Sequence, residues 1–224
     1  MSLSTSVSPA ASGTAPRPRQ RSASWLIALL LLFGALPLSF GILRLLQLLG
    51  LSDVMPPAVA PPLPLVLHIV GALAYAILGA FQFAPSIRRR WPALHRVAGR
   101  LSLVGASVVV GSALWLTAIY VTPSPGGLVL AGLRAIVAAA MALSIALGLG
   151  AAIRRDIPRH RRWMIRAYAL GLGSATQMLV LMVAELITGD APTELNRALL
   201  MGLAWTLNLA AAEWHIRRRR SGRV

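Results

Sequence analysis

The chain has 224 residues, 57% of them hydrophobic and only 12% charged, with a mean hydropathy of +0.71. A soluble domain carries about a quarter charged residues, so this composition implies lipid as solvent. There is no cysteine, which excludes a disulfide scaffold, thiolate metal sites and a cysteine nucleophile. The net charge of +16 comes from 22 arginines with no lysine. Whether it means nucleic acid depends on where those arginines fall.

Crossing about 30 Å of hydrocarbon takes about 20 mostly apolar residues. Residues 1–23, rich in Ser, Ala, Thr and Pro, read as a disordered cytoplasmic tail. Residues 24–62 read as a signal-anchor helix, Trp25 to Leu48, and a proline-rich outer loop. The apolar run is too long for a signal core, and no small-x-small cleavage site follows it. Residues 63–216 carry five further stretches: Leu63 to Phe83, Leu101 to Val121, Leu128 to Ile153, Met164 to Ile187 and Ala198 to His215. Pro123, Pro125, Gly126 and Gly127 mark one tight hairpin, and Gly189 with Pro192 marks another. Residues 217–224 form a basic tail. The expected fold is an all-α integral membrane protein, six transmembrane helices in one bundle.

All the arginines except Arg44, Arg134 and Arg197 fall before the first span, between the second and third, between the fourth and fifth, or after the last. Those segments share one side of the membrane. The positive-inside rule makes that side the cytoplasm, with both termini there, in a bacterial inner membrane. Topology thus accounts for the basicity without nucleic acid, and anionic lipid headgroups are its natural neighbours.

Polar residues inside spans face neighbours or water. At 100° per residue, His68, Gly71, Tyr75, Gly79 and Gln82 share an arc of about 80°. His95, Gly99, Ser102, Ala106, Ala113 and Thr117 form a second narrow stripe. Arg166, Ser174, Gln177 and Glu185 would form a third, over about 100°. Asn208 lies near mid-membrane, with Glu213 near the inner end of the last span. Small residues let helices approach closely, so much of this pattern is packing.

The histidines ask for more. His215, beside Trp214, is an interfacial side chain with its polar tip in water. His95 and His160 sit at matching depth at the inner ends of two spans, near Gly99 and Gly171. Two imidazoles so placed fit axial ligation of one b-type haem, with Arg96, Arg100, Arg162 and Arg166 available to its propionates. A second constellation, Arg44, His68, Arg134 and Glu185, occupies the outer half. Its simplest reading is an Arg134–Glu185 ion pair with Arg44 snorkelling outward, and the alternative is an anion or quinone site. Phosphate-loop and zincin motifs are absent, and no inverted repeat is visible.

Several blocks, taken in order, carry a resemblance. His68-Ile-Val-Gly71 leads to Gly79-Ala-Phe-Gln82, a basic loop, and Trp91-Pro-Ala-Leu-His95-Arg-Val-Ala-Gly99-Arg100-Leu101. Then come Arg154-Arg-Asp-Ile-Pro-Arg-His160-Arg-Arg-Trp163-Met-Ile-Arg166-Ala-Tyr168, Trp205-Thr-Leu-Asn208 and Ala212-Glu213-Trp214. Residues 63 to 216 so read resemble a family of bacterial predicted membrane proteins classed as a domain of unknown function. That family tends to carry an arginine where this chain has Gln177. The order His, Gly, Gln, basic loop, H-R-x-x-G-R-L is also similar to ascorbate-type transmembrane cytochromes b. That likeness implies a four-helix haem core with His68 and His95 at matching positions. The fourth span has no histidine, so two bis-histidine haems cannot form from this pattern.

The functional expectation is a multi-pass inner-membrane protein binding one haem b through His95 and His160 for electron transfer. Its partners would be the bilayer and a membrane redox partner or a second copy. The alternative is a cofactor-free component: a small transporter, a lipid-binding protein or an assembly subunit. Whether the chain is an enzyme is left open.

Overall fold

A computed structural model describes residues 24–54 and 62–221. Every regular element among them is a helix: α1 (Ser24–Leu48), α2 (Pro62–Gln82), α3 (Pro85–Arg90), α4 (Pro92–Ile119), α5 (Pro125–Ile153), α6 (Ile157–Gly171), α7 (Gly173–Thr188) and α8 (Glu194–Ser221). The tail expected over residues 1–23 lies outside the described residues.

Five segments are long and apolar enough to cross a membrane: Trp25–Leu48, Leu63–Gln82, Pro92–Ile119, Pro125–Ile153, and Ile157–Thr188, which joins α6 and α7. With 28 residues, α8 equals α4 in length. It does not meet the same apolar standard: Asn208 and Glu213 fall within its apolar stretch, and the arginine run follows it.

Start signals are local. Proline opens α3, α4 and α5 within their first turns, where its missing N–H costs nothing. Ser124 caps α5 by accepting from the Gly127 N–H at 3.0 Å. Asp156 caps α6 by accepting from the Arg159 N–H at 3.0 Å. The turn from α5 into α6 passes through Arg155 at φ 59°, one of the few left-handed positions.

Packing rests on small residues. Between α2 and α4, a Cβ on Gly71 would lie 3.0 Å from the Gly105 carbonyl oxygen. Reciprocally, a Cβ on Gly105 would lie 2.9 Å from the Gly71 oxygen. Two backbones therefore touch, which is how helices associate when lipid is as apolar as leucine. The buried core comprises Tyr75, Ala80, Ala106, Met141, Ile145, Ala167, Tyr168 and Leu170. Tyr168 anchors it: its hydroxyl donates to the Ala76 carbonyl at 2.8 Å, and Tyr75 and Phe83 meet its ring edge-on, centroids 5.6 and 5.0 Å away. The first helix stays at the periphery, against α2 and α7.

Two expectations are corrected. The span expected over Met164 to Ile187 is not one helix, because the chain breaks at Leu172 between α6 and α7. The break puts Arg166 on α6 and Ser174, Gln177 and Glu185 on α7, and those three differ in burial although they lie on one helix. Gln177 is buried while Ser174 and Glu185 are exposed.

Candidate functional site

Most of the arginines cluster at one end of the bundle, where α3, the start of α4, the α5–α6 turn and the end of α8 meet. His95 lies in the first turn of α4 and His160 in the first turn of α6, so both belong to that end. His160, Arg88 and Arg96 all lie within electrostatic range of the His95 ring.

Each ring presents a different chemistry. His160 Nδ1 is 2.8 Å from the Gly148 carbonyl oxygen on α5. A carbonyl only accepts, so Nδ1 carries the proton, and Nε2 of the neutral ring is left with its lone pair. Gly148 permits this approach: a Cβ there would collide with Met164 at 2.2 Å. His95 Nδ1 is buried and, among the described residues, has no hydrogen-bond partner. A buried polar atom without a partner is costly in a folded protein and marks a site worth explaining. One turn further along α4, Gln82 Oε1 lies 3.1 Å from where a Gly99 Cβ would be.

Arg96 and Arg100 are exposed, and neither has an ion-pair partner among the described residues. Arg166 differs. Its Nε donates to Glu213 Oε1 and its Nη2 to Glu213 Oε2 at 3.1 Å. Its guanidinium also lies 4.5 Å from the centroid of the Trp163 ring. That fork is occupied by a protein carboxylate and ties α6 to α8.

The outer-half constellation does not assemble as expected. No ion pair joins Arg134 to Glu185. Glu185 is exposed on α7, and α5 packs chiefly on α4, α6 and α8. Arg44 donates to Gln47 Oε1 on its own helix at 2.9 Å. His68 and Arg134 do approach within electrostatic range. His68 Nδ1 lies 3.2 Å from Ser112 Oγ. The Ser112 proton goes to the Val108 carbonyl at 2.6 Å, so His68 is the donor in that contact.

Three polar links escaped sequence reasoning: His68 with Ser112, Arg166 with Glu213, and the Asn208 bridge. Asn208 Oδ1 accepts from the Thr176 hydroxyl at 2.7 Å, and its Nδ2 donates to the Ala169 carbonyl at 3.1 Å. The latter satisfies a carbonyl of the last turn of α6, which has no intrahelical partner. Among the described residues, no group of three or more His, Asp or Glu is placed to hold a bare metal ion.

No curated protein and no solved structure matches the chain. Residues 65–216, from α2 almost to the end of α8, match the family described as "Predicted membrane protein (DUF2306)". α1 precedes the match, in keeping with its place outside the core. With most of its length so matched, the chain belongs to the DUF2306 family of predicted membrane proteins.

Proposed function

We propose that the chain is a six-span protein of the bacterial plasma membrane, with both termini in the cytoplasm, that holds one b-type haem between His95 and His160 for electron transfer. The carrying observation is the state of the two rings. His95 Nδ1 is buried and unpartnered, and the His160 proton is fixed on Nδ1 by Gly148. A ligating histidine characteristically donates its other ring nitrogen to a carbonyl, which sets tautomer and orientation, and His160 has that arrangement. The donor set fits the group. A bare ion needs three or more protein ligands, whereas a macrocycle that brings four nitrogens needs only two imidazoles.

When bound, a haem supplies one-electron chemistry at a potential tuned by its axial ligands and surroundings. The chain's own residues do the rest. Gly148 orients His160 by accepting its Nδ1 proton, which leaves Nε2 of the neutral ring to ligate. Arg96 and Arg100 are the guanidinia available to propionates. Arg166, held by Glu213, acts instead as a clamp between helices. The orientation rests on arginine asymmetry, and the sixth span on the length of α8.

Haem content per chain tests this reading in the wild type and in His95→Ala and His160→Ala. The expected result is about one haem per chain, falling to background in each variant. Unchanged haem in the variants would overturn the ligand assignment. A colourless wild type, made with haem supply assured, would leave the cofactor-free reading in its place.

A further inference from the structure

Charge inside a membrane-spanning bundle is costly, and an unpaired charge more so than a paired one. Arg134 is such a charge. At 100° per residue it lies within about 40° of Ala138, Met141 and Ile145 around α5. Those three are buried, so Arg134 stands on the face that α5 turns to the bundle. It is half-buried, and among the described residues it makes no hydrogen bond and no ion pair.

The six acidic residues supply no internal counterion. Glu213 holds Arg166, Asp156 caps α6, and Glu194 takes the Ser124 hydroxyl. Asp53, Glu185 and Asp190 are exposed. What does approach Arg134 is His68, itself hydrogen-bonded to Ser112. At 1.5 Å per residue, Arg134 is about 14 Å from the start of α5, His68 about 9 Å from the start of α2, and Ser112 about 10 Å from the end of α4. The three share a level in the half away from the arginine-rich end.

We propose that Arg134, backed by the His68–Ser112 pair, anchors a binding site for a ligand bearing a carboxylate or phosphoryl group, reached from the end opposite the arginine-rich one. A guanidinium fork matches two oxygens of either group, and the ligand supplies the counterion that the chain does not. The group can belong to a free anion or to the headgroup of an anionic phospholipid. The proposal is independent of the haem reading, and its tests involve no haem signal.

Two measurements on the full chain separate the sources. In the first, melting of the detergent-purified protein is followed with sodium phosphate or sodium acetate, against sodium chloride at equal ionic strength. A saturable rise of a few degrees in the wild type, absent in Arg134→Gln, identifies a free anion. In the second, native mass spectrometry is applied to protein extracted from vesicles of phosphatidylglycerol and phosphatidylcholine. Phosphatidylglycerol retained by the wild type and lost in Arg134→Gln identifies the lipid. Should Arg134→Gln not fold, Arg134→Lys keeps the charge but loses the fork, and half-saturation should weaken by at least about tenfold. If neither measurement distinguishes the wild type from these variants, the proposal is overturned.

Discussion

Arg166 on α6 and Glu213 on α8 form a two-pronged ion pair, with the guanidinium also stacked on Trp163. Both side chains are partly shielded, at 22% and 29% exposure. Removing one partner leaves the other charge half-buried and alone. Glu213→Gln should therefore lower stability by about 1–3 kcal/mol, read as a shift in the denaturation midpoint of the purified protein. An unchanged midpoint would mean that the pair contributes nothing to holding α6 on α8.

The glycines divide into two groups with opposite expected signs. A Cβ at Gly79 would lie 2.6 Å from the Tyr168 ring, and that ring cannot swing away freely because its hydroxyl is bound to Ala76. Gly79→Val should cost about 1–3 kcal/mol or more through overpacking. At Gly111 and Gly132, within α4 and α5, nothing lies within 4 Å of an added Cβ. Alanine there should stabilise by about 0.5–1 kcal/mol, since helical glycine is penalised by its backbone entropy. Thermal melts of the three variants check both signs.

Asp156 accepts the Arg159 N–H at the start of α6, and the residue before it is held at positive φ. Asp156→Ala should cost about 1 kcal/mol by loss of the cap. Because α6 carries His160, the same substitution should lower haem content, if haem binds there, without removing a ligand. Paired melting and absorbance measurements separate the two effects.

Topology is open to direct test because the chain has no cysteine of its own. Single cysteines at Ser86, Thr193 and Ser221 sit on α3, just before α8 and at the end of α8. An impermeant maleimide should label Thr193→Cys on intact cells, and Ser86→Cys and Ser221→Cys only after permeabilisation. Labelling of Ser221→Cys from outside would contradict either the sixth span or the orientation.

Hydropathy made the spans legible, and helical periodicity found the face on which Gly71, Tyr75 and Gly79 are buried. Both signals are local. The break at Leu172 was hidden because Gly171-Leu172-Gly173 reads as small residues within an apolar run. Depth along the chain suggested Arg134 with Glu185, but pairing also needs neighbouring helices, and α5 packs chiefly on α4, α6 and α8 while Glu185 is exposed on α7. The same nonlocal information joins Arg166 to Glu213 and Asn208 to Thr176, residues far apart in sequence. That His95 and His160 each open a helix at the same end of the bundle was readable from depth alone. The carbonyl that fixes the His160 tautomer was not, since it depends on the close approach of α5 at Gly148.

The most direct measurement is a reduced-minus-oxidised absorption spectrum of the detergent-purified protein, with haem quantified against protein. The account predicts sharp b-type bands at about one haem per chain. Protein produced with ample haem that shows no such bands would contradict it.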